Sequence, residues 1–130
     1  MENQKSITTA EELREFARME PEEAFLFIGN NIPLWEKLVT SDPFDSADVI
    51  EEFEPEEGAT LTEVLPTDLA INLFSRLRPR AVIDILEYLN TSTATKIFES
   101  LDTEDTVDIL ERSTEEESTE LLNILSKSTR

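Results

Sequence analysis

Carboxylates are the only abundant chemistry-bearing side chains in this sequence. Its 130 residues include 30 acids and 11 bases, with no histidine and no cysteine, and the formal charge is −19. Without cysteine there is no disulfide framework, thiolate nucleophile, cysteine zinc site or iron–sulfur cluster. Without histidine there is no serine–histidine triad and no imidazole base or ligand. The densest acidic run is Asp42, Asp45, Asp48, Glu51, Glu52, Glu54, Glu56 and Glu57, with no base among them. Asp42, Asp45 and Asp48 are spaced to share one helix face. Such a face could attract hydrated magnesium, which takes oxygen ligands and keeps several waters. The plainer reading of the run is a solvated helix face. Arg76, Arg78 and Arg80 form the basic cluster, around Pro79. They are expected to pair with neighbouring acids and helix C-termini; the sharper reading is a docking point for an acidic partner.

Other kinds of chemistry find little support. Gly29 and Gly58 are the only glycines, too few for a phosphate-cradling loop. Carboxylate pairs are so common that their spacing does not single out a glycosidase, which also needs a cleft with aromatic and polar groups. Trp35 and Tyr88 are single instances of their types. The aromatics Trp35, Phe44, Phe74 and Phe98 read as packing groups. The chain is therefore not expected to be an enzyme. Its charge repels phosphate and argues against nucleic acid. Cations, basic partners, solubility or a salt-adapted host remain as explanations of the acidity. The longest apolar stretch, residues 24–29, is too short to span a bilayer, and no signal peptide opens the chain. A cytosolic soluble domain without membrane insertion is expected.

The elements that must position these groups follow from an internal repeat. Residues 42–125 divide into seven consecutive twelve-residue blocks with no insertion: DPFDSADVIEEF, EPEEGATLTEVL, PTDLAINLFSRL, RPRAVIDILEYL, NTSTATKIFESL, DTEDTVDILERS and TEEESTELLNIL. The eighth position is always apolar: Val49, Leu61, Leu73, Ile85, Ile97, Ile109 and Leu121. The ninth and twelfth are mostly apolar, and the fifth and sixth small or apolar, as in Ala47, Ala59, Val82, Ala94 and Val107. Spacing at five, eight, nine and twelve is helical. Pro43, Pro55, Pro66 and Pro79 sit at the first or second position, where a helix start tolerates proline. Asn90, Asp102 and Thr114 open the remaining blocks as expected N-caps. The pattern predicts seven short helices, too short to stand alone, stacked over a continuous core.

Residues 1–41 are less regular and read as a helical cap. Thr9 and Glu12 have capping-box spacing ahead of Leu13 and Phe16. Glu20–Pro21–Glu22–Glu23 copies Glu54–Pro55–Glu56–Glu57, suggesting a degenerate repeat that stops at Gly29–Asn30–Asn31. Pro33 starts another helix with Leu34, Trp35, Leu38 and Val39. Residues 1–8 and 126–130 are expected to be loose.

Residues 42–127, through blocks such as RPRAVIDILEYL, DTEDTVDILERS and PTDLAINLFSRL, resemble the cytosolic N-terminal domain of MgtE-type magnesium transporters. The resemblance implies an all-α, right-handed superhelix (solenoid) of short helices. In that family the domain precedes a pair of CBS domains and a membrane pore. Magnesium held between the acidic faces of the N and CBS domains shuts the pore. Matched position by position, Glu104 and Asp108 in the sixth block correspond to metal ligands, with Asp105 adjacent. A further family acid is replaced here by Asn72, and Asp84 in the equivalent column of the fourth block is a substitute. Without an opposing domain these groups supply part of a coordination shell, so magnesium binding by this chain alone should be weak.

The resulting expectation is a regulatory, magnesium-sensing N domain at the inner face of the cell membrane. Its partners would be the CBS pair and pore of the same transporter, the chain being one domain of a longer protein. The alternative is a free-standing helical-repeat scaffold that binds a protein partner, as in the flagellar rotor switch protein, whose short-helix repeats are similar.

Overall fold

The computed structural model describes residues 7–128, with side chains through residue 123. Among these residues the chain forms ten α-helices and no strand. The cap comprises α1 (Ala10–Met19), α2 (Pro21–Gly29) and α3 (Ile32–Ser41). The seven blocks each give one helix, as the column pattern predicts. These are α4 (Pro43–Glu51), α5 (Pro55–Glu63), α6 (Thr67–Phe74), α7 (Pro79–Leu86), α8 (Thr91–Ser100), α9 (Thr103–Arg112) and α10 (Glu115–Ser128).

Two backbone hydrogen bonds recur in register and define the block. The fifth residue's N–H donates to the first residue's carbonyl, from Ser46 to Asp42 through Ser118 to Thr114. The twelfth residue's N–H donates to the ninth residue's carbonyl, from Phe53 to Ile50 through Ser113 to Leu110. This i→i+3 closure tightens and ends the helix. The next block then opens extended: Glu54, Arg78, Asn90 and Asp102 have φ between −64 and −68° and ψ between 149 and 156°. No described residue has positive φ. These turns therefore do without the left-handed residue that glycine commonly supplies after a helix. Proline fits the block start because the first-turn N–H groups have no partner within the helix.

Several local expectations hold and several change. The Thr9–Glu12 capping box forms. Asn90 accepts from the Thr93 N–H at 2.9 Å, and Thr114 from the Glu117 N–H at 3.1 Å. Asp102, expected as a side-chain cap, makes no such bond and starts α9 through backbone conformation alone. Helix α2 stops at Gly29 without a left-handed residue; the Asn31 side chain instead donates to the Phe27 carbonyl at 2.8 Å. Thr8 is held by Glu12, and α10 runs to Ser128. Of the ends expected to be loose, residues 1–6 and 129–130 lie outside the described residues.

Packing skips a block. Helices α4, α6, α8 and α10 pack successively, and α5, α7 and α9 do likewise. The cap joins this stack, with α1 on α4, α2 on α5 and α3 on α4 and α6. The sequence period is one helix, whereas the packing period is two. The core runs along the eighth column, buried in all seven blocks from Val49 to Leu121. Each such side chain contributes about 1.5–3 kcal/mol of burial free energy. Trp35, Phe74 and Phe98 are core residues as expected, but Phe44 is 70% exposed. It sits at the third position, off the apolar stripe, and lies beneath the Arg76 guanidinium, 4.8 Å from its ring centroid. Val107, a sixth-column residue expected inside, is 46% exposed. Its counterparts Ala59 and Ile83 are buried on α5 and α7, and α9 is the last helix of that row among the described residues.

The two rows are tied by carboxylates of the tenth column. Glu63 accepts from the Asn90 N–H at 2.8 Å, the Asn90 side chain at 2.9 Å and the Thr93 hydroxyl at 2.9 Å. It thereby satisfies the N-terminus of α8 from the end of α5. Glu51 repeats the device one block earlier, accepting from the Arg78 N–H at 3.1 Å and pairing with its guanidinium at 3.2 Å. Glu63→Ala is expected to lower stability by about 1–2 kcal/mol, the scale of a lost helix cap, measurable by urea denaturation. An unchanged midpoint would show that water replaces the carboxylate without loss.

Candidate functional site

Helix α9 carries three of the four sequence-predicted carboxylates. Glu104 and Asp108 are four residues apart and exposed, so they share the outward face. Asp105 is half-buried beside them. The placement follows from the repeat: Ile109 in the eighth column is buried and turns the third and seventh columns outward. Asp105 and Asp108 also edge a small cleft of about 110 Å³ against Phe74, Leu77 and Val82. Asp108 pairs with Arg112, one turn on, at 3.6 Å. Both partners are about half exposed, and exposed pairs of this kind contribute little and exchange readily.

Asp84 lies in the same column on α7, which packs against α9. It is occupied differently. The Arg80 guanidinium donates to Asp84 at 2.7 Å and also binds Glu117 of α10 and the Arg112 carbonyl at 3.3 Å. Arg80 thus joins α7, α9 and α10, which is the bland role expected for the arginine cluster. These bonds hold Arg80 above its ordinary pKa. Arg80 and the Thr114 N–H hold the Glu117 carboxyl below its own. A cation approaching Asp84 would have to displace this guanidinium.

Half of the dense acidic run is absorbed by structure. Glu51 and Arg78 pair, Glu52 reaches Arg14 at 3.9 Å, and Glu54 and Glu57 form the capping box of α5. Asn72, standing where the resemblance calls for an acid, accepts from Arg76 at 2.6 Å. Sequence reading did not assign the row-tying roles of Glu51 and Glu63. The signal was present as acids recurring in the tenth column, at Glu51, Glu63, Glu87, Glu99 and Glu111. The 27-residue reach to the next row is visible only in three dimensions.

Among the described residues, no three acids converge into a group that could enclose a metal ion. Glu104, Asp105 and Asp108 are hard oxygen donors on a solvated face. That donor set suits a hydrated divalent ion contacted partly through water, with positions left for a second surface. Asp84, on α7, is held by Arg80. No helix of the described residues is long and apolar enough to cross a membrane.

Comparison with curated proteins and with solved structures returns no match. Residues 41–130 match the family model described as the MgtE intracellular N domain. That span covers the whole repeat, including the α9 face, and the chain belongs to the MgtE intracellular N domain family, which places it in the context of magnesium transporters.

Proposed function

We propose that this domain is a magnesium-sensing regulatory element whose α9 face closes against an acidic partner surface, the CBS pair of a transporter. The observation that carries the reading is the outward pairing of Glu104 and Asp108 on α9, with Asp105 beside them, in a chain of this family. Magnesium bound between the faces would supply the positive charge that offsets two like-charged surfaces. The chain's own residues set the balance. Glu104 and Asp108 repel a facing acidic surface, by about 1 kcal/mol per charge pair at 4 Å in water. Their exposure lets hydrated ions approach, and Arg112 is a weak local competitor for Asp108. Asp84 contributes at the margin, because Arg80 already neutralises it. With roughly half a coordination shell, the isolated domain should bind magnesium weakly, and full closure needs the opposing domain. The inner face of the cell membrane is the corresponding location.

Thermal unfolding in increasing MgCl2, against NaCl at equal ionic strength, tests this. Occupancy at about three times the dissociation constant is worth about 0.8 kcal/mol, so an excess rise in Tm of about 2–4 °C is expected. Glu104→Gln/Asp108→Asn should abolish the excess. If NaCl reproduces the whole magnesium effect, the domain has no specific site. The free-standing scaffold reading predicts that outcome, and the uncovered Val107 on the same helix would then mark a protein contact.

A further inference from the structure

A second site stands apart from the α9 face. Helices α7, α8 and α10 enclose a cleft of about 340 Å³. Its floor is apolar, formed in part by Leu86, Leu89 and Leu121, and its rim carries Glu87, Glu117 and Glu120. Glu117 is taken by Arg80. Neither Glu87 nor Glu120 forms a hydrogen bond or salt bridge within the described residues, though both edge the cavity. The cleft combines an apolar wall with two carboxylates at its mouth that no described base pairs with.

We propose that this cleft docks a basic segment of a protein partner, seating an arginine or lysine flanked by apolar residues. Charge complementarity and shape select this occupant. A hydrated metal ion would use the carboxylates but leave the apolar floor uncovered. An arginine or lysine matches both parts of the site: its aliphatic stem covers apolar surface while its cationic head reaches the carboxylates. The cavity is of the size that holds one or two side chains. The Glu87 carboxyl is held above its ordinary value by burial, then by Glu120, Glu117 and Asp84, with Arg80 partly opposing. A cation placed there relieves that crowding. The proposal does not depend on the magnesium reading.

The test is fluorescence anisotropy with a labelled, end-capped peptide, Leu-Arg-Leu-Lys-Leu, in about 0.15 M NaCl, where long-range attraction to the −19 chain is screened. Saturable binding is expected. Glu87→Gln/Glu120→Gln should weaken it about tenfold, as loss of charge pairs in a docking site does. Glu104→Gln/Asp108→Asn removes the same charge from α9 and should change it by less than about twofold. The equally charged Ser-Arg-Ser-Lys-Ser should bind at least about tenfold more weakly, having no apolar contact with the floor. Equal weakening by the two double variants, equal binding of the serine peptide, or no saturable binding would each overturn the proposal. The α9 variant also separates this test from the magnesium titration, which turns on the α9 carboxylates.

Discussion

Replacing Trp35 with alanine is expected to remove about 3–5 kcal/mol of folding stability, the range for emptying a large aromatic site. Trp35 is 1% exposed, the bulkiest of the fully buried side chains. Its indole Nε1–H donates to the Leu61 carbonyl at 2.9 Å, across 26 residues from α3 to α5. Leu61 lies in the last turn of α5, where carbonyls run out of donors from their own helix. The side chain therefore both fills the junction between cap and repeat and satisfies a helix end. Alanine would leave a cavity and an unpaired buried carbonyl together. Urea denaturation followed by circular dichroism at 222 nm measures the loss, because the variant lacks the only tryptophan. Trp35→Phe separates the two contributions. It keeps most of the packing and should cost about 1–3 kcal/mol, mostly for the unpaired carbonyl. If Trp35→Ala unfolds at the wild-type midpoint, the cap is not coupled to the repeat through this residue.

Gly58 is the second sensitive position. A Cβ placed there would lie 3.2 Å from Ile85 Cδ1 and 3.3 Å from Ile50 Cγ2. The glycine lets α5 approach both α4 and α7, against which it packs. Its backbone φ is not positive, so the requirement is space and not conformation. Gly58→Leu would push a branched side chain into this contact and is expected to cost about 2–3 kcal/mol, as overpacking does. Gly58→Ala adds only the methyl. Its gain in helix propensity, about 1 kcal/mol, opposes the crowding of two isoleucine side chains, so a near-neutral result is expected. The pair of substitutions is diagnostic. Equal stability of both variants would mean that the α4–α5–α7 contact yields without cost.

Much of this architecture is legible in the twelve-residue register. The helix number, starts and ends, and the buried eighth column follow from local chemistry. Proline or a polar residue opens a block, acids complement the first turn, and one apolar stripe must leave water. Such features depend on residues within one helix of each other, so a single sequence suffices to read them. The register also fixes which face of α9 points outward, and hence the exposure of Glu104 and Asp108. Matching those positions to a magnesium-transporter family came from the resemblance, since many acids here are equally spaced.

Contacts between helices were decided only in three dimensions. The register gives one helix per block but not that each packs on the helix two blocks on. Columns repeat identically from block to block, and periodicity carries no information about which copy a residue meets. For the same reason the row-tying roles of Glu51 and Glu63 stay hidden until their 27-residue reach is seen. Phe44 and Val107 show the limit from the other side: apolar identity suggested burial, but whether a neighbour covers the site is a property of the stack. The charge on Asp84 likewise says nothing about its occupancy by Arg80, which is recruited by Glu117 from another helix. Sequence determined the helices and their faces, because those follow from bonds within about a turn. The tertiary structure alone decided which carboxylates are neutralised and which remain open, because that depends on partners brought close only when the two rows stack.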